Sequence, residues 1–289
     1  MNPVAGGGRA RRYWQRCGLK PGVDAEVVYT TARGEARTLA AAAGDRLVVA
    51  VGGDGTAHEV VNGLLSRART QRPRLAVLQC GTGSDWQRTI PGPSRPEQVA
   101  TFLRSDRWRP VDAGLLETTA GRRYFLNAAD VGIGAAVVRR AERAPRAFGG
   151  TLNFLSAAIV SLLVHHNDAV RLSIDDGPLQ RLRIRTIAVA NGAYLGGGMR
   201  IAPEARPDDG LLDVCIVGDV SRLLGLRSLP LLYRGAHGRL QEVRFARARR
   251  VRVESDHPVG VEADGELAGE TPATFQVVPH ALDVLVLTP

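Results

Sequence analysis

Lysine is almost absent from this chain. Of 38 lysines and arginines only Lys20 is a lysine, so the other 37 are arginine. Lys20 lies in Gly18-Leu19-Lys20-Pro21, with no GxxxxGK[ST] around it. A Walker-type phosphate loop, which needs that lysine, is excluded. Cysteine is scarce as well. Cys17, Cys80 and Cys215 are scattered and form no CxxC pair, so neither a disulfide framework nor a zinc site is expected. Aromatic residues are only 5% of the total. No interleaved aromatic and basic motif of the kind RNA modules use is present, and no nucleic-acid partner is expected. There is no charged-then-apolar leader, so no signal peptide is expected. The longest near-apolar run, Phe154–Val164, falls well short of the ~20 residues a spanning helix needs. The expectation is a cytoplasmic protein.

The formal charge of +9 favours polyanions: phospholipid, nucleotide or nucleic acid. With 289 residues, 44% of them hydrophobic, the chain can bury a real core, and two domains are the natural expectation. The first half alternates short apolar runs with helical patterns. Leu47–Val51 reads as a buried parallel strand, ends at a glycine turn, and is followed by a helix with Val60, Val61, Leu64 and Leu65 on one face. A second strand, Leu75–Leu78, runs into another glycine turn. This is the grammar of an open α/β sheet. Beyond Asp112–Gly114 strands dominate: Tyr124–Ala128, Val170–Ile174, Leu182–Ala190, Leu212–Val217, Arg250–Val253, Phe275–Val278 and Val284–Leu287. Helical stretches near 151–164 and 221–235 interrupt them. The expected fold is an α/β nucleotide-binding domain with an open parallel sheet over 1–112, then a mostly antiparallel, β-sandwich-like domain over 113–289.

Three glycine loops could carry chemistry. Gly52-Gly53-Asp54-Gly55-Thr56 sits between a strand and a helix start, where ligands of open α/β sheets bind. Glycine lets backbone N–H groups approach phosphate oxygens without a Cβ in the way. Asp54 repels phosphate, a conflict that magnesium or a water network would resolve. Asn2-Pro3-Val4-Ala5-Gly6-Gly7-Gly8 is the second loop. Gly81-Thr82-Gly83-Ser84-Asp85-Trp86 is the third, in which Asp85 could orient a metal or a hydroxyl. His165-His166 is the only histidine cluster; neighbours in sequence point in different directions, so a polar helix end is expected there.

NPxAG, GGDGT and GTxxD, in this order, resemble the diacylglycerol kinase catalytic family, which includes sphingosine kinases and soluble bacterial lipid kinases. The second half adds Gly196-Gly197-Gly198-Met199, Ile201-Ala202-Pro203-Glu204-Ala205, Asp208-Asp209-Gly210-Leu211-Leu212-Asp213-Val214 and Val261-Glu262-Ala263-Asp264-Gly265-Glu266. The likeness covers essentially the whole chain. It implies an ATP site between the domains, built from Asn2, Pro3, Ala5, Gly6, Thr30, Gly52, Gly53, Asp54, Gly55, Thr56, Glu59, Thr82 and Asp85. It implies that Asp264 and Glu266 supply the general base, although Asp-Gly by itself reads as a hairpin turn. It implies a structural Mg²⁺ held by the Asp209 side chain and the carbonyls of Arg206 and Leu211, and a second Mg²⁺ arriving with ATP. The substrate would be a lipid collected at the membrane surface, with anionic phospholipid as docking partner, and a homodimer stays open. Two departures stand out. Ser84 replaces the family's asparagine, and the strand that usually precedes NPxAG is missing, so the true start lies upstream or the sheet is a strand short. An NAD kinase-like enzyme with a soluble substrate would explain GGDGT, but neither the IAPEA…DDGLLDV stretch nor the Asp-Gly-Glu turn. A basic nucleic-acid-binding protein has only the charge in its favour.

Overall fold

The computed structural model describes residues 1–19, 25–144 and 150–287; Lys20 lies outside them. The chain divides into two compact units, Met1–Val111 with His280–Pro289, and Asp112–Pro279.

The first unit is α/β. Its strands β1 (Val48–Gly52) and β2 (Leu75–Gln79) pair in parallel, Val51 beside Leu78. Both are short apolar runs that can be buried on two faces, as parallel strands require. Helix α1 (Ala5–Gln15), α2 (Glu35–Ala41), α3 (Asp54–Leu65), α4 (Asp85–Thr89) and α5 (Val99–Leu103) accompany them. In α3, Val60, Val61, Leu64 and Leu65 are all buried, as the helical spacing of that apolar face predicts. Ala10, Trp14, Val51, Leu78, Phe102 and Leu285 share one core. Leu285 closes a long last strand, introduced below, in which Val284 pairs in parallel with Leu75. The end of β14, residues 280–285, counted with the second half in the sequence, therefore belongs with the first unit.

The second unit is a sandwich of antiparallel sheets. Its strands are β3 (Trp108–Thr118), β4 (Gly121–Phe125), β5 (Ala128–Gly132), β6 (Asp168–Ile174), β7 (Gln180–Ile184), β8 (Thr186–Ala190), β9 (Leu212–Val217), β10 (Val243–Ala248), β11 (Arg250–Glu254), β12 (Gly260–Ala263), β13 (Glu266–Glu270) and the start of β14 (Ala273–Leu285). One sheet runs β10-β9-β8-β5-β12-β13; in the other, β14, β11, β6 and β7 pair in that order. Between them lies a core of Phe125, Ile187, Val214, Val251, Val261 and Phe275, among others. Helices α6 (Ile133–Arg143), α7 (Gly150–Val164), α8 (Arg222–Arg227) and α9 (Leu229–Arg234) complete the unit.

Two expected strands prove to be pairs of strands, because the chain changes sheet inside each. Leu182–Ala190 breaks at Arg185, between β7 in one sheet and β8 in the other. The Arg185 guanidinium is buried and donates to the carbonyls of His165 (2.8 Å) and Val220 (2.9 Å). Tyr124–Ala128 breaks at Leu126-Asn127, where β4 hands over to β5. Conversely, Phe275–Val278 and the start of Val284–Leu287 are parts of the single strand β14, which ends at Leu285.

Candidate active site

In the first unit the glycine loops meet at the carboxyl ends of β1 and β2. A Cβ on Gly81 would lie 2.7 Å from the Gly53 Cα, so these two loops touch backbone to backbone. Gly6, at φ +60°, is equally constrained, since a Cβ there would lie 2.2 Å from the Cys80 carbonyl oxygen. Only glycine meets both demands, close approach and left-handed backbone. Gly7 and Gly8 continue the left-handed turn before α1 becomes regular. Gly53 is the extended residue before α3, leaving the first-turn N–H groups of that helix at the loop junction.

Side chains tie the loops together. The Asn2 amide donates to Thr56 Oγ1 (3.2 Å), and its Oδ1 accepts from the Val4 N–H (3.2 Å). The Asn2 N–H donates to the Val51 carbonyl, and the Thr30 N–H to that of Met1, both at 2.9 Å. Glu59 accepts from the Gly34 N–H at 3.0 Å. The Asp54 carboxylate accepts from the Gln79 amide and from the Trp86 N–H (3.2 Å). It thus joins β2 to α4, and these two donors face part of the charge at Asp54. Asp85 is buried, with Arg88 at 3.6 Å. Thr82 is exposed. Ser84 adopts φ +58°, a left-handed conformation that asparagine tolerates better than serine.

In the second unit Asp264 and Gly265 form the two-residue turn between β12 and β13. Both have positive φ, 50° and 83°, and Ala263 pairs with Glu266 across them. This is the hairpin geometry that Asp-Gly favours, but the Asp264 side chain does more than turn the chain. Its Oδ2 accepts from the Leu126 N–H (2.8 Å), and its Oδ1 from those of Asn127 (2.9 Å) and Ala128 (3.3 Å). One carboxylate fastens the β4-to-β5 corner. Glu266 lies 3.5 Å from the Arg123 guanidinium.

Beneath this turn lie two carboxyls to which the sequence assigns no role, Glu262 within the Val261–Glu266 motif and Asp130 outside every motif. Glu262 and Asp130 are cross-strand partners on β12 and β5, and both are buried. Glu262 accepts from the Gly265 N–H (2.7 Å); Asp130 accepts from the Gly134 N–H (2.9 Å) and from the Thr186 hydroxyl. Burial pushes Asp130 up to about 7. Burial first, and Asp130 second, hold Glu262 well above the usual carboxylate range. The one signal in the sequence is a single acid interrupting a small apolar strand, as in Ala128-Ala129-Asp130-Val131.

The Arg206–Leu211 loop is latched to Asp112, which is itself fully buried. Gly210 donates its N–H to Asp112 Oδ2 (2.7 Å), and Asp112 donates its own to the Pro207 carbonyl (2.6 Å). Asp209 accepts from the Leu211 N–H (3.1 Å) and pairs with Arg247. Nearby, Asp213 is buried with one carboxylate oxygen lacking a hydrogen-bond partner, and burial raises it to about 6. Among the described residues no three His, Cys, Asp or Glu side chains converge as a metal site. A cation on this loop would rest on one carboxylate and main-chain oxygens, a hard donor set that suits Mg²⁺, and would compete with Arg247.

Residues 1–116 match the diacylglycerol kinase catalytic domain, and residues 127–286 the YegS C-terminal NAD kinase beta sandwich-like domain. A diacylglycerol kinase of Mycobacterium tuberculosis is 34% identical over 293 residues, covering 98% of this chain and 93% of the relative. A probable YegS-like lipid kinase of Pseudomonas aeruginosa is 33% identical over 256 residues, covering 87% and 81%. In fold, the chain is similar to a putative diacylglycerol kinase structure from Bacillus anthracis, with TM-score 0.78, 24% identity, and 99% and 93% of the two chains covered. An NAD kinase from Archaeoglobus fulgidus is a more distant likeness, with TM-score 0.53, 14% identity, and 96% and 89% covered.

Proposed function

The chain belongs to the diacylglycerol kinase family, and on that premise we propose that it moves the γ-phosphoryl group of ATP onto the hydroxyl of a diacylglycerol-like lipid. The observation that carries the nucleotide half of this reading is the meeting of three glycine loops at two parallel strand ends and the start of α3. Such a cradle of N–H groups binds phosphate without a P-loop lysine. In this reading Asn2, Pro3, Ala5, Gly6, Thr30, Gly52–Thr56, Glu59, Thr82 and Asp85 form the ATP site. The bond from Asn2 to Thr56 keeps the first two loops in register while phosphate binds.

The acceptor half falls to the Asp264–Glu266 turn. The lipid oxygen bonds to the γ-phosphorus as the bond to the ADP oxygen breaks, and a turn carboxylate takes the hydroxyl proton late in a loose transition state. Asp264, whose oxygens accept from three backbone N–H groups, and Glu266, beside the Arg123 guanidinium, are the two candidates for that step. Mg²⁺ bound with ATP would neutralise charge on the phosphate oxygens. A structural Mg²⁺ would rest on Asp209 and the Arg206 and Leu211 carbonyls. In this reading the enzyme meets its lipid at the cytoplasmic face of a membrane, attached peripherally. Among the described residues no helix is long and apolar enough to cross one.

Labelled ATP incubated with the protein and a total lipid extract tests the reading. A labelled phosphomonoester of a glycerolipid is expected; no labelled lipid would overturn it. Gly53→Asp puts bulk and negative charge into the loop contact and should abolish ATP binding while the circular dichroism spectrum stays native. A folded variant with unchanged ATP affinity would remove the glycine loops from the nucleotide site.

A further inference from the structure

Helices α8 and α9 are leucine-rich yet contain no buried residue. Their sequence, Arg222-Leu223-Leu224-Gly225-Leu226-Arg227 and Leu229-Pro230-Leu231-Leu232-Tyr233-Arg234, would ordinarily sink one face into a core. Instead Leu223 is 56% and Tyr233 41% exposed. The end of α7 continues the same surface. Gly225 packs close to Leu162, where an added Cβ would lie 3.2 Å from a Leu162 methyl, and Arg222 reaches His166 at 3.3 Å. There Val160, Leu163 and Val164 are 42%, 46% and 50% exposed. Of the large hydrophobic residues exposed in the second unit, most are gathered on these three helices. Scattered apolar residues need no explanation, but a contiguous group does.

The segment that carries α8 and α9 bears charge of one sign, with Asp219, paired to Arg183, at its edge. From Val220 to Gln241 there is no aspartate or glutamate, while Arg222, Arg227, Arg234 and Arg239 are all exposed. None of these four forms an ion pair among the described residues. Helix α7 carries no charge at all. Leucine and valine side chains edged by arginine without acidic partners are the composition of a surface that lies in the headgroup boundary of an anionic bilayer.

We propose that the face formed by α8, α9 and the end of α7 docks on an anionic lipid bilayer. The exposed leucines and valines enter the acyl boundary, and the arginines meet the phosphates above it. The proposal deepens the lipid-kinase reading and rests on it only for its purpose, since docking is measured without turnover.

The test is sedimentation of the full chain with vesicles of phosphatidylcholine alone or with added phosphatidylglycerol. The wild type should partition more strongly onto the anionic vesicles, and less so as salt rises. Leu163→Asp with Leu223→Asp should lower that partition at least about tenfold. Arg222→Gln, Arg227→Gln and Arg234→Gln together lie on exposed positions that leave the fold intact, and should abolish the preference for anionic vesicles. Phosphorylation of a short-chain, monomerically dissolved diacylglycerol should stay within about twofold in both variants. If both variants still bind like the wild type, the assignment of this face is wrong. The assignment also falls if the wild type does not bind, or if the substitutions only turn a dimer into a monomer, which would make the patch an interface between two copies. Loss of soluble-substrate turnover in the wild type would instead remove the kinase reading and leave the docking result standing.

Discussion

Asp264 is asked to do two things at once, and its contacts separate them. Three backbone N–H groups converge on its carboxylate. Asparagine offers one acceptor oxygen and, in place of the other, an NH₂ donor facing N–H groups. Asp264→Asn should therefore lower stability by about 1–3 kcal/mol, the cost of buried donors left without partners, as well as slow the reaction. Glu266→Gln keeps the length of the side chain and loses the charge facing the half-buried Arg123, so its melting temperature should stay near the wild type. Its kcat should nevertheless fall by about 10²–10⁴-fold if Glu266 takes the proton. Thermal denaturation alongside steady-state kinetics distinguishes the two. Two stable, fully active variants would leave the turn with no catalytic role.

At the scale of elements, the Arg206–Leu211 loop offers a second test. Asp209 joins Arg247 and the Leu211 N–H, and Asp112 fastens the loop from beneath. If Mg²⁺ binds here, it stabilises the folded chain by mass action without any nucleotide. Added Mg²⁺ should raise the melting temperature of the wild type and leave Asp209→Ala unmoved. Equal responses would place the metal elsewhere.

Elements also show what a sequence discloses and what it does not. The runs 48–52 and 75–79 are legible because parallel strands buried on both faces are continuously apolar. The glycine loops are legible because close backbone approach tolerates no other residue. Sheet membership leaves no such trace: Ile184, Arg185 and Thr186 read as one strand, yet the chain changes sheet between them. β10, with its alternating Val243-Arg244-Phe245-Ala246-Arg247-Ala248, escapes notice because half of it faces solvent. Asp130 escapes notice because it is a lone acid that meets Glu262 only through strand register, and Glu262 because the Asp-Gly-Glu turn beside it draws the attention.

For the whole molecule, that buried pair sets the direction of acid–base behaviour. Asp130 has a folded value of about 7 against 3.8. Between those values the folded chain holds a proton that the unfolded chain has released. Its contribution to stability is therefore largest in acid and declines as pH rises from about 4 to about 7. Glu262, raised by burial and by Asp130, acts in the same direction. Asp130→Asn keeps an acceptor for the Gly134 N–H and removes the titration. Denaturant unfolding at pH 5 and pH 7 should show a smaller loss of stability in this variant than in the wild type. An unchanged loss would mean that Asp130 ionises normally.

The strand β14 carries a consequence for biosynthesis. The first unit needs Val284 beside Leu75 and Leu285 in its core, yet these residues leave the ribosome after every other strand of the second unit. The nucleotide-binding half is begun first and can be completed only last. Chains stalled in translation before residue 280 would expose the edge of β2, an invitation to chaperones or to aggregation that the finished protein withdraws.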